Sequence, residues 1–174
     1  MVWDPQQYLK FSGHRLRPAV DLLMRIPDVG PRTVADLGAG AGNVTKLIKE
    51  RWPSAAVTGV EGSAEMVAAG RKAAPDVEWS HEDLGHWRPA KQFDVVYSNA
   101  ALHWLPNHAA LFPSVMEKVA PGGVTRCSTL DRHGPSSAVS PISTCDGARK
   151  LRGICTASMP PGATFSITDG KSAA

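Results

Sequence analysis

Apolar positions along the chain alternate between two periods. From Arg17 to Ile26 they place Val20, Leu23 and Met24 on one helical face, with Pro18 suited to the first turn and Pro27 and Gly30 ending the run. Thr33 to Leu37 predicts a short buried strand, Gly38, Gly40 and Gly42 a tight loop, and Asn43 to Trp52 a helix that turns Val44, Leu47 and Ile48 inward. The order repeats. Ala56 to Val60 predicts a second strand closed by Glu61 and Gly62, and Ser63 caps a second helix with Glu65 in its first turn. Val77 to Ser80 gives a weaker third strand, and Phe93 to Ser98 a stronger fourth bounded by Asn99. A further helix is predicted from Asn107 to Val119, bent by Pro113, before Pro121, Gly122 and Gly123 turn the chain toward a fifth strand. Strands alternating with helices imply an α/β fold with a parallel sheet covered on both faces.

After Gly123 the alternation fails. Ser, Thr, Gly and Pro dominate, and large apolar residues follow no period, so little surface is available to offset the entropy of ordering. Residues 124–174 are therefore expected to form an irregular tail behind a domain at 1–123. Charge divides at the same place: Lys+Arg balance Asp+Glu up to Gly123, so the net charge of +3 lies in the tail. All tryptophans (Trp3, Trp52, Trp79, Trp87, Trp104) precede this boundary, and all cysteines (Cys127, Cys145, Cys155) follow it. The cysteines form no Cys-x-x-Cys pair, and the histidines show no ligand spacing, so no metal is expected.

A length of 174 residues suits one domain, and a composition 43% hydrophobic and 20% charged is that of a soluble protein. No window reaches the length of a membrane span, and the N-terminus lacks the basic start and apolar core of a secretory signal. The expectation is a cytoplasmic protein with no membrane partner. The neutral balance of residues 1–123 also argues against nucleic acid. Oligomeric state is not legible.

The chemistry concentrates in Val34-Ala-Asp-Leu-Gly-Ala-Gly-Ala-Gly-Asn43, a strand running into closely spaced glycines that let backbone approach a ligand. A dinucleotide fingerprint G-x-G-x-x-G starting at Gly38 requires glycine at 43, where Asn43 stands. A nicotinamide-dependent dehydrogenase is thereby the lesser reading. Glu61, at the end of the second strand, can accept hydrogen bonds from both hydroxyls of a ribose. An isolated Glu there is more often merely solvated; beside the glycine loop it becomes a ligand candidate with Gly62. Asn99 and the residues after it, including His103 and Trp104, lie past the fourth strand and over the same sheet edge. His103 and Trp104 are candidates for positioning a substrate, against the plainer reading of a packed helix start. No catalytic residue is assigned firmly.

An acid before G-x-G-x-G resembles class I S-adenosylmethionine-dependent methyltransferases, which have a Rossmann-like sheet. The resemblance implies S-adenosylmethionine as cofactor, with Asp36 near its methionine end and Gly38, Gly40 and Gly42 beneath it. It puts Asp83 on the adenine amino group and the Leu84 backbone amide on the ring, against the plainer reading of a solvated acidic turn. Trp3-Asp-Pro-x-x-Tyr8-Leu-x-Phe11, Arg15-x-Arg17-Pro and Ser98-Asn-Ala-Ala-Leu-His-Trp-Leu-Pro-Asn107 narrow it: residues 2–123 resemble the trans-aconitate 2-methyltransferase family. That family's activity implies an O-methyltransferase that makes a monomethyl ester of a polycarboxylate. The segment at 1–30 is similar to a lid, with Tyr8 and Phe11 across the cofactor and Arg15 or Arg17 neutralising the substrate; a solvated helix start explains the arginines equally well.

Beyond Gly123 the chain departs from that family, whose members continue through a full fifth strand, a substrate-covering region and two last strands. The expectation is a sheet truncated after the fifth-strand turn, the native sequence having been replaced near residue 124 by a shift of reading frame; a genuine short form with a basic tail is the alternative. A noncatalytic adenosyl-binding fragment therefore stands beside the enzyme as a second reading.

Overall fold

The computed structural model of the chain describes residues 16–130 and 139–146. Helix α1 (Arg17–Met24) leads into β1 (Thr33–Leu37), α2 (Asn43–Arg51), β2 (Ala56–Glu61), α3 (Ala64–Ala73) and β3 (Glu78–His81). The chain continues through β4 (Phe93–Asn99), a single 3-10 turn (Leu102–Trp104), α4 (His108–Met116), β5 (Val119–Leu130) and β6 (Val139–Asp146). The strands form one sheet in the order β3-β2-β1-β4-β5-β6, parallel from β3 through β5. This is the Rossmann-like α/β sheet expected from the sequence. Strand order reverses between β1 and β4, and ligands of open α/β sheets bind at the carboxyl ends of strands beside such a reversal.

Local signals account for the elements. Pro18 occupies the first turn of α1, where its missing N–H is not needed. Ser63 caps α3 by accepting a hydrogen bond from the Met66 amide at 3.3 Å. Pro113 lies within α4, which closes three residues before the predicted Val119 because Val119 is already paired with Phe93. The Pro121-Gly122-Gly123 turn sits in a bulge of β5: pairing resumes at Val124 opposite Val95.

Two corrections concern hydrophobic pattern. Met24 is not a core residue; it is 41% exposed, because the buried stripe of α1 runs through Ala19, Val20, Leu22 and Leu23, and Ile26 takes the next core position. The expected irregular tail is also wrong in part. Strand β5 runs on to Leu130, and β6 pairs with it antiparallel from Val124↔Asp146 to Leu130↔Val139. The edge of β5 supplies unpaired backbone groups, and a hairpin return satisfies them without requiring a periodic apolar pattern.

The sheet carries a core on each face. Val20 and Leu23 of α1 and Leu47 and Ile48 of α2 pack over Val34, Val57, Val95 and Tyr97. On the other face Leu102, Leu111 and Val115 cover Leu37, Val60 and Val96. One residue locks the first face to the glycine loop. A side-chain carbon at Gly42, Gly59 or Gly70 would lie 3.0, 2.9 or 2.3 Å from the Trp79 ring, so three glycines from three segments make room for one indole. Its Nε1 donates to the Ala74 carbonyl at 3.1 Å.

Candidate functional site

The loop after β1 is fastened to the end of β2: the amides of Gly38 and Ala39 both donate to the Val60 carbonyl, at 2.9 and 3.1 Å. Gly38, Gly40 and Gly42 have φ of 76°, 55° and 86°, the left-handed region in which a side chain is strained. Their surroundings differ. An added Cβ at Gly38 would lie 2.1 Å from Ala101 Cβ, at Gly42 it would meet Trp79, and at Gly40 nothing among the described residues lies within 4 Å. Gly38 thus admits the segment after β4, Gly42 admits the core, and Gly40 alone of the three has no described residue against it.

Glu61 closes β2 and bridges two segments. Its Oε2 accepts from the Gly40 amide at 2.9 Å and its Oε1 from the Ser63 amide at 3.0 Å. Each oxygen retains lone-pair capacity, so the carboxylate is fixed in place and still able to accept from a diol. Gly62 beside it is roomy, with the Glu82 carbonyl 3.9 Å from an added Cβ.

Asp36 lies one layer below, 2% exposed, and its Oδ2 accepts from the Thr45 hydroxyl at 2.6 Å. Burial pushes the carboxyl up to about 7, with the Glu61 charge adding to the rise and the Thr45 hydrogen bond opposing it. In register beside it on β4 stands Tyr97, which donates to the Ala19 carbonyl at 2.8 Å and is held protonated by burial and by the Asp36 and Cys127 charges.

The remaining candidates lie around this edge. Leu84 approaches Gly38: its Cδ1 would stand 3.7 Å from an added Cβ there. Asp83 is an exposed residue whose Oδ1 accepts from the Gly85 amide and pairs with His86 Nδ1, each at 2.9 Å. Asn99 accepts from the Ser128 hydroxyl at 2.8 Å, tying the ends of β4 and β5. His103 is 7% exposed and Trp104 70%, with ring centroids 4.9 Å apart. Arg17 forms an exposed pair with Asp21 at 3.9 Å on α1. Tyr8, Phe11 and Arg15 lie outside the described residues. A cleft of about 420 Å³ opens between the Asp83 turn and the start of α4; its walls include Asp83, Arg88 and Leu111 but neither Gly40 nor Glu61.

Sequence reasoning missed Thr45, Trp79 and Ser98. Thr45 sits on the first turn of α2 and is fully buried, a position open to a threonine only when its hydroxyl has a partner. Ser98 donates to the Leu37 carbonyl at 2.9 Å, holding β4 to β1 at the reversal of strand order. The signal for Ser98 was a hydroxyl residue at the end of an apolar run; Thr45, between Val44 and Lys46, carried none.

Residues 34–123 match the family model described as a methyltransferase domain. Over 123 residues the chain is 52% identical to the trans-aconitate 2-methyltransferase of Azoarcus sp. (strain BH72), an overlap of 71% of this chain and 49% of that protein. The enzyme of the same name from Escherichia coli is 45% identical over 122 residues, 70% of this chain and 48% of its own length. The chain spans about half the length of these curated relatives. Among solved structures, an S-adenosylmethionine dependent methyltransferase from Mesorhizobium loti is similar at 34% identity with a TM-score of 0.59, over 68% of this chain and 54% of that one. No helix among the described residues is long and apolar enough to cross a membrane.

Proposed function

The chain belongs to the methyltransferase domain family, and from that premise we propose that it binds S-adenosylmethionine at the carboxyl edge of β1 and β2 and methylates a carboxylate of trans-aconitate to the monomethyl ester. The observation that carries the reading is the convergence of open space at Gly40, a backbone-pinned carboxylate at Glu61 and a buried carboxylate at Asp36 beside the reversal of strand order. The acceptor set fits the ligand. Glu61 accepts from the two ribose hydroxyls, and Asp36 faces the cationic amino group, directly or through water. Gly40 forms the floor, Gly38 and Gly42 shape the loop that carries it, and Gly62 lies beside the ribose. Asp83, Leu84 and Asn99 border the adenosyl group.

When bound, S-adenosylmethionine supplies an electrophilic methyl group on a sulfonium. A substrate carboxylate is ionised at neutral pH, so the site needs no strong general base. The transfer so supplied would exchange the S–CH3 bond for a C–O bond to one carboxylate oxygen, the electron pair remaining on sulfur, and would require no proton movement by the chain. The work left to the chain is alignment, which contributes roughly 7–11 kcal/mol when nucleophile and methyl are held in line. His103 and Trp104 border the substrate side, and Arg15 or Arg17 offsets the negative charge of the substrate.

The test is incubation of the full chain with methyl-labelled S-adenosylmethionine and trans-aconitate, reading labelled monomethyl ester by mass. Product supports the reading, and absence of product together with absence of cofactor binding removes it. The length of the overlap with the relatives favours one other reading, an adenosyl-binding unit without turnover, for which cofactor binds and no ester forms.

A further inference from the structure

We propose that Thr45 is the positioning residue of this site: its hydroxyl, on the first turn of α2, orients the Asp36 carboxyl and favours its ionised form for a cationic amino group. The part played by the amino group rests on the reading of this edge given above; the hold of Thr45 on Asp36 does not. Thr45 is 0% exposed and Asp36 2% exposed, and Oγ1 donates a hydrogen bond to Oδ2 at 2.6 Å, the short distance of a charge-assisted bond. A helical threonine can return this hydrogen bond to the carbonyl one turn back; here it goes to a carboxyl on a neighbouring strand and ties α2 to β1 at the site.

The groups facing Asp36 make this donor consequential. From β2 comes the Glu61 carboxylate, which favours the neutral acid, and from β4 the Tyr97 phenol, which keeps its proton and spends it on the Ala19 carbonyl. Burial acts in the same direction as Glu61, and the Thr45 hydroxyl is the group that opposes both. Without it the carboxyl stays protonated at neutral pH, and a neutral acid attracts an ammonium group far less than a carboxylate does.

Two measurements on the full chain test this. Infrared difference titration of the ligand-free protein, with the Asp36 band assigned by Asp36→Asn, should find the Thr45→Val midpoint about one pH unit or more above wild type, and Thr45→Ser close to wild type. Equal midpoints in wild type and Thr45→Val overturn the proposal. Calorimetric titration with S-adenosylmethionine should find Thr45→Val about tenfold weaker at neutral pH, with the loss shrinking as pH rises. A loss of constant factor at every pH assigns Thr45 to packing and also overturns it. If the midpoints separate but wild type binds no cofactor, the cofactor reading fails and the hold of Thr45 on Asp36 stands.

Discussion

At the ends of β1 and β2, carboxylates reach partners from other segments: Asp36 takes the hydroxyl of Thr45, nine residues on, and Glu61 takes the amide of Gly40 from the preceding loop. After β3, Asp83 takes the amide of Gly85 and the ring of His86, two and three residues away. The first arrangement spans strands and helices and holds its carboxylates before any ligand arrives. The second completes a local turn and would form wherever that turn formed. Preorganised acceptors lose little entropy on binding, so cofactor affinity should depend on the first region far more than on the second.

The largest break in that contrast comes from the support beneath the first region. Trp79→Ala removes the indole against which Gly42, Gly59 and Gly70 pack, and should destabilise the fold by about 3–5 kcal/mol in urea unfolding. Asp36→Asn sharpens the contrast through pH. The Asp36 carboxyl is raised from 3.8 to about 7 in the folded protein, so the folded state holds a proton that the unfolded chain has lost. Wild type should therefore lose stability relative to Asp36→Asn as pH rises from about 4 to about 7, on the order of 2–4 kcal/mol, and run parallel to it above that window. Unfolding midpoints at a series of pH values read this directly.

Glu61→Ala should weaken S-adenosylmethionine by about thirtyfold in calorimetry, the scale of about 2 kcal/mol for hydrogen bonds to a charged acceptor. The smallest effect belongs to Asp83→Ala, expected to change affinity by less than about fivefold and stability by less than about 1 kcal/mol, as befits an exposed residue. An Asp83→Ala loss larger than that of Glu61→Ala would reverse the comparison.

What the sequence revealed follows the same division between local and distant causes. Strand β1 falls at Thr33–Leu37 as predicted, Ser63 caps its helix, and Glu61 stands at a strand end, because each depends on a few neighbouring residues. Legible too were Gly38 and Gly40 as loop positions. Not legible was that Gly42 shares one tryptophan with Gly59 and Gly70, since three segments must assemble before that contact exists. Thr45 escaped notice because its partner Asp36 lies across the glycine loop, and helical spacing does not relate the two. Strand β6 escaped it because pairing with an edge satisfies backbone groups that carry no sequence pattern. Resemblance to the family model ends at residue 123, whereas the sheet continues to Leu130 and β6.

The most direct test of the central claim is calorimetric titration of the full chain with S-adenosylmethionine, comparing wild type with Glu61→Ala under conditions where both are folded. A single site in wild type and a loss of about thirtyfold in the variant are expected. Absence of binding in wild type, or equal affinity in the two proteins, would contradict it.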